Sequence, residues 1–151
     1  MKGIHQIKSV PGVVKDKFME KNNPQIRILI VDDLPQVRYE LATMLKLASL
    51  SSDFDLVVIG EAQNGSQAIE QAINLQPDMI LMDLEMPILD GYRATQSIKL
   101  ANPFVFIVIL SIHSDPLSRQ NALYSGADAF VEKGAPLNQL LQVIQGVRSR
   151  S

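Results

Sequence analysis

Three aspartates stand where apolar runs stop. Ile26-Arg27-Ile28-Leu29-Ile30-Val31 leads into Asp32-Asp33, and Met79-Ile80-Leu81-Met82 leads into Asp83. Runs of that kind read as strands buried on both faces, so each acid is set at the end of a strand. Carboxylates gathered at one sheet edge repel one another and raise each other's pKa. A divalent cation held by oxygen ligands reverses that penalty. The chemistry indicated is a hard-metal site with an aspartate placed beside it to react.

Each residue also has a plainer role. Asp32-Asp33 ahead of Pro35 would serve as a helix N-cap with first-turn charge. Asp83 is harder to assign that way, because it begins Asp83-Leu84-Glu85-Met86-Pro87-Ile88-Leu89-Asp90-Gly91. Met86-Pro87 bends that loop, and Asp90-Gly91 turns it and caps the next helix. Ser111 ends another apolar run and Lys133 follows Ala129-Phe130-Val131-Glu132. Alone they read as a polar strand terminus and a solvated lysine. Beside the acids they complete a phosphate-binding set: ammonium, hydroxyl and cation each take a phosphoryl oxygen.

The elements that must position these residues alternate along the chain. Strands are expected over Arg27 to Asp32, Leu56 to Gly60, Met79 to Asp83, Phe104 to Leu110 and Ala129 to Val131. Between and after them, helices are expected from Pro35 to about Lys46, after the Asn64-Gly65-Ser66 turn to Leu75, from Gly91 to about Leu100, from Pro116 to Ser125 and from Pro136 to Val147. Parallel strands need crossovers of a dozen or so residues, which helices supply, and right-handed crossovers place helices on both faces. Such units wind either as a Rossmann-like half or in the flavodoxin-like order 2-1-3-4-5. In the latter the first and third strands adjoin at the switch point, where ligands bind. Because that order brings Asp32, Asp33 and Asp83 into one crevice, the expected fold is an α/β, flavodoxin-like (βα)5 three-layer sandwich with a parallel 2-1-3-4-5 sheet.

The chain's 151 residues, 46% apolar and 20% charged, suit one globular domain, and a formal charge of −2 favours neither nucleic acid nor an anionic membrane. Without cysteine there are no disulfides or thiolate metal sites. No apolar run reaches the roughly 20 residues of a membrane span, and no secretory h-region opens the chain, so the expectation is a cytoplasmic protein. Residues 1–25 differ from the rest: Lys2, Lys8, Lys15, Lys17 and Lys21 outnumber Asp16 and Glu20, and Pro11-Gly12 and Asn22-Asn23-Pro24 break any periodicity. They read as an N-terminal extension, flexible or docking on a partner, followed by a domain over 26–148 and a tail over 149–151.

Asp32-Asp33, Asp83 with its Met86-Pro87 loop, Ser111 and Lys133, in that order, resemble the receiver domain of two-component response regulators over residues 26 to 147. The resemblance implies that Asp83 accepts a phosphoryl group from a sensor histidine kinase or phosphotransfer protein, or from a small phosphodonor. It implies Mg²⁺ held by the Asp33 and Asp83 carboxylates and the Glu85 backbone carbonyl, with Asp32 acting through water. Lys133 then pairs with the phosphoryl group, Ser111 moves to hydrogen-bond it, and Phe130 moves inward. The face of helix four, strand five and helix five would address an output domain, a downstream protein or a second copy, through residues such as Leu123, Tyr124 and Leu140. Glu85 and His113 would set the dephosphorylation rate.

Three positions depart from the commonest receiver pattern. Ile112 stands where a small residue is frequent, and its bulk would narrow access to Asp83. Phe130 lacks the hydroxyl of a tyrosine. Lys133 is followed by Gly134-Ala135-Pro136, so no proline adjoins it. Ser111-Ile112-His113 and Lys133-Gly134 resemble receivers that precede a LuxR-type helix-turn-helix. No such domain follows here, so the chain is expected to be a stand-alone receiver or a fragment, without nucleic-acid contacts of its own. The competing readings are a receiver-like scaffold that takes no phosphate and a Mg²⁺-dependent aspartyl-phosphate phosphatase with Glu85 as its acid.

Overall fold

The structure, a computed structural model, describes residues 22–149. The extension expected over 1–25 therefore lies outside the described residues up to Lys21, and the tail does so at its last two positions. In chain order the elements are β1 (Gln25–Val31), α1 (Pro35–Leu50), β2 (Asp55–Ala62), α2 (Gly65–Leu75), β3 (Met79–Asp83), α3 (Gly91–Ala101), β4 (Phe106–Ser111), α4 (Pro116–Tyr124), β5 (Ala129–Glu132) and α5 (Leu137–Ser149). The strands form one parallel sheet in the order β2-β1-β3-β4-β5, which is the expected flavodoxin-like order.

Alternation along the central strands explains the layers. Ile28, Ile30, Met79, Leu81, Val108 and Leu110 belong to one core with Leu45 of α1 and Leu140 and Ile144 of α5. The intervening Leu29, Val31, Ile80, Met82, Ile107 and Ile109 belong to a second core with Ala68, Ala94, Ile98 and Ala122 of the opposite helices. Successive strand side chains point to opposite faces. A strand covered on both faces must therefore be apolar at every position, as all of β3 is buried.

Local signals set the helix starts. Asn64, Asp90 and Asp115 each cap a helix by accepting from the backbone N–H of Gln67, Arg93 and Ser118. The cap position of α1 is Leu34, which makes no side-chain cap bond, with Pro35 opening the helix.

Several boundaries differ from the sequence reading. Helix α1 runs on to Leu50, because Leu45 and Ala48 continue its buried stripe past Lys46. Strand β4 starts at Phe106. Phe104 is 93% exposed and its N–H donates to the Asn102 side chain, so a turn claims the start of that apolar run. Leu140 is 5% exposed and is core, whereas Leu123 and Tyr124 are exposed. No helix among the described residues is long and apolar enough to cross a membrane.

Candidate functional site

Strand register brings the chemistry to one edge. Val31 of β1 lies beside Met82, so Asp32 emerges next to Asp83, the last residue of β3. The Asp32 N–H still donates to the Ala62 carbonyl of β2, which fixes its backbone. Asp83 lies beside Leu110, Ser111 ends β4 beside Glu132, and the Lys133 N–H donates to the Ser111 carbonyl at 2.8 Å. Asp32, Asp33, Asp83, Ser111 and Lys133 thus all stand at the carboxyl edge of the sheet.

The acids converge there. One oxygen from each of Asp32, Asp33 and Asp83 lies within 4.8 Å of the others. Lys133 Nζ donates to Asp32 Oδ2 at 2.7 Å and to Asp83 Oδ1 at 3.0 Å. The other Asp32 oxygen accepts from the Leu34 N–H, and Arg38 Nη1 donates to the Asp32 carbonyl. The Asp32 and Asp83 side chains are only 2% and 9% exposed.

Burial raises the Asp83 carboxyl above its ordinary 3.8. The hydrogen bond and charge of Lys133 pull it down, and the Asp32 and Asp33 charges push it up again. Burial also opposes the Lys133 charge, but the Asp32 and Asp83 carboxylates outweigh it and hold this ammonium above the usual 10.5.

This donor set fits a hard divalent cation. All three side chains offer oxygen, and Mg²⁺ takes carboxylates and water in preference to nitrogen or sulfur. Three formal carboxylates against one ammonium leave two negative charges, which one dication balances.

The loops add structure that single positions did not announce. Gly91 opens α3 where a Cβ would lie 2.0 Å from the Asp83 carbonyl oxygen, so the backbone of Asp83 passes directly over a glycine. Ser111 Oγ accepts from the His113 N–H at 3.0 Å. A hydroxyl that accepts keeps its own hydrogen to donate. His113 Nε2 and Glu85 Oε1 are 2.8 Å apart, tying the loop after β4 to the loop after β3. Both flank a cavity of about 180 Å³ that also touches Leu84, Tyr92 and Ser111. Ile112 is 65% exposed and is not among the residues lining that cavity. Phe130 is half-buried on β5 and lies under the guanidinium of Arg119. Sequence reasoning missed Arg119, because its partners lie on a loop and on another strand and no spacing along α4 marks it.

A family description for the response regulator receiver domain matches residues 28–145. The chain is 37% identical over 120 residues to the response regulator protein VraR of Staphylococcus saprophyticus, covering 80% of this chain and 55% of that one. It spans about half the length of the curated regulators it matches. A LuxR-family two-component response regulator from Aurantimonas superposes with a TM-score of 0.73 at 27% identity, covering 82% of this chain and 84% of that one. The signal receiver domain of the NarL regulator from Mycobacterium tuberculosis superposes with a TM-score of 0.74 at 25% identity, covering 83% and 98%.

Proposed function

This chain belongs to the response regulator receiver domain family of two-component systems, and within that membership we propose that Asp83 is its phosphoacceptor. Receivers of the family are signalling domains that take phosphate on an aspartate with Mg²⁺. The single observation that carries the assignment is the Lys133 ammonium lying between Asp32 and Asp83 within a cluster of three carboxylates.

The chemistry follows from the residues. A carboxylate oxygen of Asp83 attacks the phosphorus of a phosphohistidine on a kinase or phosphotransfer protein, or of a small phosphodonor. The new O–P bond forms as the bond from phosphorus to the donor breaks, P–N in a phosphohistidine or phosphoramidate and P–O in acetyl phosphate, and that electron pair leaves on the donor atom. Burial keeps the attacking carboxylate poorly solvated. The Asp33 and Asp83 carboxylates and the Glu85 carbonyl would hold Mg²⁺, with Asp32 reaching it through water. When bound, the ion neutralises charge on the phosphoryl oxygens. Lys133 then keeps Asp32 and pairs with the phosphoryl group, and Ser111 supplies its free hydroxyl hydrogen. Glu85 and His113 stand at the mouth of the site and set how fast water removes the phosphoryl group.

In this reading the chain performs only its own phosphorylation and dephosphorylation and works in the cytoplasm. A downstream partner, or a second copy, reads the α4–β5–α5 face, where Leu123 and Tyr124 are exposed. The test is intact-protein mass after incubation with acetyl phosphate or phosphoramidate and Mg²⁺. One added phosphoryl group is expected, lost in Asp83→Asn and with EDTA. No addition, together with no response to beryllofluoride and Mg²⁺, rejects the assignment in favour of a scaffold that takes no phosphate. Steady turnover of a phosphomonoester points instead to a phosphatase.

A further inference from the structure

Arg119 links two segments of the chain through its side chain. It sits in the first turns of α4, where its Nε donates to the Ser114 carbonyl at 3.0 Å. Its guanidinium carbon lies 4.7 Å from the centroid of the Phe130 ring. One planar cation thus joins the loop after β4, which follows Ser111 and carries His113, to the aromatic residue of β5. We propose that Arg119 is a positioning residue that latches Phe130 and this loop in the resting arrangement, and so sets how readily the chain switches when Asp83 is phosphorylated. This rests on the phosphoacceptor reading of Asp83.

Phe130 carries no hydroxyl. A tyrosine would carry a hydroxyl able to anchor the ring at a defined place, but a phenylalanine is placed by packing and by its ring faces alone. Phe130 packs partly against the core that includes Ile109 and Ala122, and the Arg119 guanidinium is the cation on its ring. A guanidinium over an aromatic face is held by the ring quadrupole while its N–H groups stay free for hydrogen bonds in its plane. Arg119 uses one of these on Ser114. If Ser111 is drawn to the phosphoryl group, the chain three residues on moves with it, and the stacked guanidinium must move with the loop or leave the ring. The contact therefore stabilises one of two packings, and a ligand of the other must outweigh it.

The test uses the full chain and beryllofluoride with Mg²⁺ as the phosphoryl probe, followed by calorimetric titration. Arg119→Gln should tighten beryllofluoride binding by about two- to tenfold, the range set by a partly exposed cation–π contact. The gain should vanish when Phe130→Leu is already present, and Arg119→Lys, which keeps charge without the planar fork, should lie between. Mg²⁺ affinity without beryllofluoride should be the same in wild type and Arg119→Gln, because Arg119 touches no carboxylate of the site. Unchanged beryllofluoride affinity in Arg119→Gln overturns the latch, as does an equal gain with and without Phe130. If the wild type itself fails to bind beryllofluoride, the phosphoacceptor reading falls and this inference falls with it.

Discussion

Replacing Lys133 by methionine should destabilise the metal-free protein by about 3 kcal/mol at pH 7 and make Mg²⁺ a stronger stabiliser. Carboxylates up to 4.8 Å apart repel by about 3 kcal/mol at an effective dielectric near 20. Lys133 relieves that repulsion through contacts of 2.7 and 3.0 Å. Breaking one side of a largely buried ion pair costs about 3–5 kcal/mol, and the lower end applies because the Lys133 side chain is 21% exposed. In a chain of this size that is a fall of roughly 10 °C in Tm. The sign with pH follows from the Asp83 carboxyl, whose folded pKa is raised. Its ionisation therefore costs stability once pH passes the folded value, and protonation relieves the cost below it. The gap between wild type and variant should thus narrow on acidification toward the ordinary 3.8. Lys133 works oppositely: its folded pKa is raised, so its contribution is whole below 10.5 and fades in the wild type as pH climbs through the folded value. Mg²⁺ at 100 times its Kd should restore about 2.7 kcal/mol, and the variant should need less of it because no ammonium competes for Asp32 and Asp83. Urea titrations in EDTA and in Mg²⁺, from about pH 4 to about pH 11, measure all of this. A variant within about 0.5 kcal/mol of wild type in EDTA at pH 7, a difference expected of ordinary surface changes, would refute the electrostatic account.

Other expectations are local. Ile88 adopts φ of +71° in the loop after β3 and is 82% exposed. A β-branched residue pays for that conformation without burial in return, so Ile88→Gly should gain about 1 kcal/mol in thermal unfolding. Gly91→Ala should lose at least about 2 kcal/mol and weaken Mg²⁺ binding as well, since its Cβ would displace the Asp83 carbonyl; loss of stability with intact Mg²⁺ affinity would show that the clash is absorbed elsewhere. Glu85→Ala and His113→Ala should each change the half-life of the phosphorylated protein in the same direction, because each breaks the same 2.8 Å contact; an unchanged half-life in both would remove them from control of hydrolysis. Asp83→Asn should raise the urea midpoint of the metal-free protein at pH 7, because burial disfavours the charged carboxyl it replaces.

What could be read from residues alone was governed by period and punctuation. The continuous apolar stretches of β1, β3 and β4 left no room for a solvated face, so a doubly covered parallel sheet followed, and with it the edge on which the acids stand. The failures came where two physical signals competed. Phe104 extended an apolar run, yet Pro103 and the Asn102 side chain form a turn that leaves its ring in solvent. Leu140 matched both a core stripe and an output face, and only packing against the sheet separates them. Among the candidate site residues, Asp32, Asp33, Asp83, Ser111 and Lys133 were legible because each stands at or just past the end of a strand. The Arg119 contact with Phe130 was not, since it depends on where α4 lies against β5.

The position of Lys133 also constrains the order of events. At rest its ammonium is shared between Asp32 and Asp83. Once an Asp83 oxygen is bonded to phosphorus, that oxygen no longer carries the charge that held the lysine, and the charge has moved outward onto the phosphoryl oxygens. The ammonium then has reason to keep Asp32 and reach the phosphoryl group. Because the Lys133 N–H is bonded to the Ser111 carbonyl, the backbone just past the carboxyl end of β5 is tied to the last residue of β4 as the lysine side chain changes partner. A lysine variant should therefore bind Mg²⁺ well yet couple phosphorylation poorly to β5, whereas loss of Asp33 should impair the cation first. Measuring Mg²⁺ affinity and the beryllofluoride-induced shift of Phe130 ring resonances in Lys133→Met and Asp33→Asn separates the two. Parallel loss of both properties in both variants would mean that Lys133 is only a counter-charge.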